Sequence, residues 1–287
     1  MRHIIATYSI VAADPSTGEV GVAVQSKFLG VGAVVPYAKA GVGAVATQAF
    51  ANPAYGPDGL EHLSSGLNAE QTIDQLIKSD PGASERQIGV VDFQGNAATY
   101  TGEDCYDWAG GITGKHFAAQ GNILVNEETV TEMGKAFENA KGNLSERLLA
   151  ALQSAQKAGG DRRGKQSAAL YVVKEKGGYG GLSDVLVDLR VDDHQEPIKE
   201  LERIFLLHQL YFSESKPEQI QQLKGGVKEE VGYHLYRVGY LKDSNPNDKD
   251  LYKGLTTFLH TENFEEREQK QGWIDREVVH FLKQMDE

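Results

Sequence analysis

Hairpin-length links, too short to carry a chain across a sheet, dominate between the extended stretches of this sequence, and this limits the fold more than any other feature. Residues 7–13 alternate in strand fashion, Asp14-Pro15-Ser16-Thr17-Gly18 is turn chemistry, and residues 20–25 continue as a second strand, which predicts a hairpin. Residues 32–35 and 41–48 read as further strands of an antiparallel sheet, and residues 88–93 and 97–101 flank the short turn Gln94-Gly95-Asn96 as a second hairpin. Parallel neighbours would need crossovers of about a dozen residues or more, and no GxGxxG or Walker loop follows a strand. A doubly wound parallel sheet is therefore disfavoured.

Helical patterns separate these strands. Asn68 followed by Gln71 fits a capping box ahead of the stripe Ile73, Leu76 and Ile77, so residues 53–78 read as a helix pair. Val130, Met133, Phe137 and Ala140 repeat at helical spacing, and Asn143 with Glu146 caps a further helix bearing Leu148, Leu149 and Leu152. Residues 167–174 and 184–190 close the region as strands. The order sheet, helices, sheet, helices, sheet predicts an α+β domain of two packed antiparallel sheets with helix layers outside them.

Composition marks where that domain ends. Residues 206–287 carry 10 of the 24 Phe, Trp and Tyr residues but only 6 of the 32 glycines. Helical stripes run through them: Ile220, Leu223, Val227 and Val231, then Leu235 and Val238, then Leu255, Phe258 and Leu259, and finally Val278, Val279 and Leu282. The expected organisation is a domain over residues 1–208 and a small all-α domain over residues 209–287. The net charge of −12 argues against partners bound through phosphates, so neither nucleic acid nor an anionic membrane is expected. No stretch reaches the ~20 apolar residues of a membrane span, and Met1-Arg2-His3-Ile4-Ile5 meets polar residues too soon for a secretory segment, so a cytoplasmic location is expected.

Four clusters carry candidate chemistry. Thr7 opens the first strand; with a free α-amine as base its hydroxyl is a nucleophile, which requires removal of residues 1–6, and a plain strand opening accounts for it too. Lys27, after the second strand, or Lys39 would lower the pKa of a neighbouring amine by its positive charge, and each also reads as a solvated loop lysine. Gly159-Gly160-Asp161-Arg162-Arg163-Gly164 brings two guanidinium forks, one oriented by Asp161, to a carboxylate or amide oxygen, or else is a helix cap and surface turn. Asp188, Arg190 and Asp192 share a strand face ahead of His194; with no second ligand pair in reach, no metal and no cofactor are expected. Asn122, in Gln120-Gly121-Asn122, suits an oxyanion donor or a turn cap. The single cysteine, Cys105, lies among acidic residues that raise a thiol pKa, so a catalytic thiolate is not expected.

As a set these stretches are familiar. Residues 7–15, 41–49 and 52–57, Gln120-Gly121-Asn122, residues 159–164 and residues 187–194 resemble the bacterial family filed as domain of unknown function 1028, over about residues 7–208. That resemblance implies the four-layered αββα sandwich of the amino-terminal-nucleophile hydrolases, with Thr7 where the family places a Thr or Ser after its initiator methionine. On the chemistry of the residues themselves, Thr7, Lys27 and Asn122 are expected to be catalytic, and Gln48, Asp161, Arg162, Arg163 and His194 to bind substrate. The substrate class would be a small-molecule or peptide amide. Residues 212–287 resemble a module labelled as peptidoglycan-binding, with Gly239-Tyr240, Asp250, Leu255, Phe258, Phe264, Arg267 and Ile274-Asp275 carrying the pattern. It suggests peptidoglycan or a second copy of the chain as partner. The alternative is a non-catalytic ligand-binding or assembly protein on the same fold.

Overall fold

In the computed structural model, which describes residues 7–285, the chain divides between Ile204 and Phe205 into two compact units. The first unit opens with the hairpin of β1 (Thr7–Asp14) and β2 (Glu19–Ser26), turned at Gly18, whose φ of 77° costs a glycine nothing. There follow β3 (Pro36–Lys39), β4 (Gly43–Ala49), α1 (Tyr55–Ser64), α2 (Ala69–Lys78), β5 (Arg86–Asp92), β6 (Ala97–Thr101), β7 (Gly110–Gly114) and β8 (Phe117–Asn122). Then come α3 (Glu128–Asn139), α4 (Leu144–Lys157), β9 (Ser167–Val173), β10 (Val185–Val191) and α5 (Pro197–Phe212), which runs through the division.

The strands form a six-stranded sheet in the order β10-β9-β2-β1-β8-β7 and a four-stranded sheet in the order β3-β4-β5-β6. Every pairing in them is antiparallel. Alternation sorts the side chains. Val11, Ala13, Val20, Val22 and Val24 of the larger sheet share one buried cluster with Ala44, Ala46 and Val91 of the smaller. From the other face of the smaller sheet, Val45, Ile88 and Val90 pack on Tyr55, Leu63, Ile73 and Leu76 of α1 and α2. Helices α3 and α4 pack on the larger sheet, where the Phe117 and Phe137 rings meet at a tilt of 53° with centroids 5.2 Å apart. Both expected capping boxes form, Asn68 with Gln71 and Asn143 with Glu146.

Three expectations need correction. Residues 32–35 are not a strand: Gly30 takes φ 65° and Val31 N–H donates to Ser167 Oγ (3.1 Å), so the run turns and buries Val31 and Val35 without pairing. Nor do the expected strands include the hairpin of β7 and β8, because Gly110, Gly111, Gly114, Ala118 and Ala119 carry almost no strand signal. Asn122 accordingly ends a central strand and is not a turn cap.

The second unit is helical, with α6 (Gly226–Arg237), α7 (Asp248–Thr261) and α8 (Arg276–Gln284) around Leu235, Leu251, Phe258, Phe264 and Leu282. It is not purely α: β11 (Ile220–Gln222) pairs antiparallel with β12 (Trp273–Asp275), so Ile220 lies in a strand and not in a helical stripe. Arg267 and Asp275 explain why both belong to the pattern of this module. They form a buried ion pair at 2.7 Å, exposed by 4% and 0%. The guanidinium also donates to the Gln209 (2.8 Å) and Leu210 carbonyls, while Asp275 caps α8 by accepting from Glu277 N–H at 2.7 Å.

Candidate functional site

Thr7 stands at the start of β1 with Ser26 of β2 opposite on one side and Asn122 of β8 on the other. Register puts all three side chains on the face turned to the smaller sheet, in line with Val11 and Ala13 further along the strand. There the apolar layer gives way to a polar one. Thr7 Oγ donates to Ser26 Oγ (3.2 Å), and Gln48 of β4 reaches across with Nε2 to Gln87 Oε1 (2.7 Å) and the Thr7 carbonyl (3.4 Å). Ser9 Oγ donates to Gln48 Oε1 (2.6 Å) and accepts from Gln120 Nε2 (2.7 Å). Asn122 Nδ2 donates to Gln87 Oε1 (2.9 Å). All seven side chains are buried. Glycine at 89 makes room for them, since a Cβ there would lie 2.3 Å from Gln120 Oε1.

The loop that follows Gln48 is clamped. Asp80 Oδ2 accepts from Tyr55 Oη (2.8 Å), Arg86 Nε (2.9 Å) and Asn52 Nδ2 (3.3 Å), while Oδ1 accepts from Gly82 N–H (2.8 Å). Burial alone would raise the Asp80 carboxyl, but the hydrogen bonds from Arg86, Gly82 and Tyr55 outweigh it and hold the group well below the usual carboxylate range. Gly56 lies against the Tyr37 ring, where a Cβ would come within 2.2 Å. The stretch Asn52-Pro53-Ala54-Tyr55-Gly56-Pro57 is thus a structural clamp behind Gln48.

The remaining candidates gather beside this site without entering it. Asp161 is wholly buried, and its carboxylate accepts from Lys27 N–H (2.9 Å), Arg163 N–H (2.9 Å), Arg163 Nε (3.2 Å) and Arg163 Nη2 (3.0 Å). It orients one guanidinium fork as expected, but with its oxygens so engaged it anchors the loop and does not present itself to a ligand. Arg162 N–H donates to the Ile123 carbonyl (3.0 Å) and its guanidinium to the Asp107 carbonyl. Lys27 Nζ donates to the Lys165 carbonyl (3.4 Å), in an open groove of about 490 Å³ that it lines with Lys165, Gln166, Asp193, His194 and Glu196. His194 Nδ1 accepts from Glu196 N–H (3.0 Å). Lys39 is a correction: it pairs with Gly43, at the opposite end of β4 from Gln48, and donates to Ser64 Oγ (3.3 Å).

On the opposite face of β1, burial first and Asp161 second raise the Tyr8 phenol well above its ordinary value. The Cys105 thiol is pushed up to about 11, by burial chiefly and then by Asp104 and Glu85. Sequence reasoning missed Gln87 altogether and gave Ser26 and Gln120 no role of their own. Their signal is polar residues on inward strand positions, Gln87 in phase with Gly89 and Val91, Gln120 with Ala118. Among the described residues no three His, Cys, Asp or Glu side chains group as a metal site would require.

Residues 7–201 match the family described as "Family of unknown function (DUF1028)", and residues 211–282 match the "Putative peptidoglycan binding domain". A crystal structure of a protein from Silicibacter pomeroyi, also assigned to DUF1028, is 30% identical with a TM-score of 0.65, the likeness covering 78% of this chain and 89% of that one. No protein of curated function matches the chain.

Proposed function

The chain belongs to the DUF1028 family, and on that premise we propose that its first unit is an amidohydrolase of the amino-terminal-nucleophile type, built as a four-layered αββα sandwich. The observation that carries this reading is a buried threonine hydroxyl at the start of a central strand, flanked by a serine hydroxyl and a ring of side-chain amides. Thr7 Oγ would attack the carbonyl carbon of an amide while the Thr7 α-amine takes its proton. Collapse of the tetrahedral intermediate breaks the C–N bond, and the ammonium returns the proton to the leaving amine. Water then hydrolyses the acyl-Thr7 ester with the same amine as base. The α-amine exists only once residues 1–6, which lie outside the described residues, have been removed. Lys27, Arg162, Arg163 and His194, beside the site, are the groups proposed to receive a charged end of the substrate. A cytoplasmic setting, self-association and an attachment of residues 211–282 to peptidoglycan belong to this reading as proposals.

Intact mass and amino-terminal sequencing of protein without an amino-terminal tag test it. The expected product starts at Thr7, and Thr7→Ala lowers turnover of an amide substrate by about a thousandfold or more. A chain that still starts at Met1 or Arg2 after days in solution overturns it. That result would favour the second reading, a ligand-binding descendant of the fold, which the complete burial of Thr7 also supports. Its signature is a ligand-induced rise in Tm without turnover, abolished by Arg163→Ala.

A further inference from the structure

The ring of amides next to Thr7 has only one consistent orientation. Gln87 Nε2 faces the Gly121 carbonyl (2.8 Å), the Gly110 carbonyl (3.2 Å) and Thr101 Oγ (2.9 Å). Backbone carbonyls only accept, so the amide cannot be turned over, and Gln87 Oε1 must point at Gln48 and Asn122. Both must then donate to it, Gln48 at 2.7 Å and Asn122 at 2.9 Å. Turning Gln48 over would set its oxygen against Gln87 Oε1 and the Thr7 carbonyl, which only accept, so its direction is fixed, and Ser9 Oγ then donates to Gln48 Oε1. One consequence concerns Asn122. Its Nδ2 is committed to Gln87, and its Oδ1, on a side chain 1% exposed, has no hydrogen-bond partner among the described residues. A buried carbonyl left unpaired costs about 1–3 kcal/mol.

We infer that Asn122 Oδ1 is a hydrogen-bond acceptor for an N–H of the group bound at Thr7, and that Gln87 is the positioning residue that keeps it so. The ligand class is then one carrying an N–H next to its carbonyl, a primary or secondary amide, as opposed to an ester or a tertiary amide. The inference rests on Thr7 marking the site, and it reverses the expected role of Asn122 as oxyanion donor. The oxyanion would be left to backbone N–H groups. Selectivity would come from a mismatch: a ligand without an N–H places a lone pair or a methyl group against an acceptor that cannot turn round.

The test reads binding and not turnover, so it stays informative if no hydrolysis is found. Side-chain amide resonances of the ¹⁵N-labelled full chain are followed while acetamide or N,N-dimethylacetamide is titrated in. Acetamide should shift the Asn122 resonance with an apparent Kd at least about tenfold below that of N,N-dimethylacetamide. Gln87→Leu frees the Asn122 amide to rotate and should bring the two probes to within about twofold of each other. Equal response to both probes, no response at Asn122, or a preference unchanged in a folded Gln87→Leu protein overturns the inference. Because the probe comparison is made on the natural chain, a Gln87→Leu protein that does not fold leaves it decided.

Discussion

Each unit buries a polar cluster, and the two are built on different terms. In the second unit Arg267 and Asp275 form a closed system: a full ion pair whose guanidinium also meets two backbone carbonyls and whose carboxylate also meets Ser215 and a helix N-terminus. In the first unit the cluster is neutral, made of amides and hydroxyls, and it is left open at Asn122 Oδ1 and Gln120 Oε1. Closed networks specify a structure, whereas open acceptors in a tightly packed layer cost stability that a purely apolar layer would not. The apolar half of the same layer, with Val11, Val22 and Ala46, shows that these strands accommodate such a filling. The contrast gives the ionic cluster a structural duty and supports the binding duty proposed for the neutral one.

Breaking the closed cluster should have the largest effect. Arg267→Leu leaves Asp275 charged and unpaired in the interior, and should destabilise the second unit by about 3–5 kcal/mol. Urea unfolding followed by Trp273 fluorescence in a Trp108→Phe background measures it, and a change below about 1 kcal/mol would place the ion pair among dispensable surface pairs. Gln87→Leu comes next. It strips the Gly110 and Gly121 carbonyls of a shared donor and should cost about 2–3 kcal/mol in the first unit. Asn122→Leu removes one bond together with the open acceptor, so it should cost less than Gln87→Leu. The reverse order in denaturant midpoints would mean that the open acceptor is not a burden.

The acid limb sharpens the comparison from another side. The Asp80 carboxyl is held below its unfolded value near ~3.9, so its stabilisation is complete above that pH and is lost as pH falls through the lower folded value. Asp80→Asn should therefore lower Tm at pH 7 and narrow the gap from the natural protein as pH drops below about 4. A gap that is the same at pH 3 and pH 7 contradicts the clamp.

The sequence made the helices legible and the site only partly so, for reasons visible in particular residues. Asn68 with Gln71 and Asn143 with Glu146 are local signals, read within one turn of chain, and both form as expected. Thr7, Gln48 and Asn122 were recognisable through motifs, but their meeting depends on the register of β1 with β8. Small residues of low strand propensity, Ala118, Ala119 and Gly121, obscure that strand; at Gly121 a Cβ would lie 2.5 Å from Leu124 Cδ1. Gln87 carried only a faint mark, a polar residue in phase with the inward Gly89 and Val91. A glutamine at the head of an apolar strand looks like a surface end until β7 and β8 are seen to close over it.

The smallest predicted effect separates capping from core. Asn143 accepts from Glu146 N–H at 3.0 Å and Asn68 from Gln71 N–H at 2.9 Å, both on exposed helix ends. Each Asn→Ala change removes one partner of an otherwise orphaned N–H and should cost about 1 kcal/mol. The two caps sit on helices that pack against different sheets, so the double variant should lose the sum, about 2 kcal/mol, if the two sheets unfold as one cooperative unit. Two separate transitions in the double variant, one following each cap, would show that the sheets are joined less firmly than their shared core of Val11, Val22, Ala46 and Val91 requires. A single transition at the summed cost would mean that the polar end is held by the apolar end, which is what lets an unpaired acceptor at Asn122 persist.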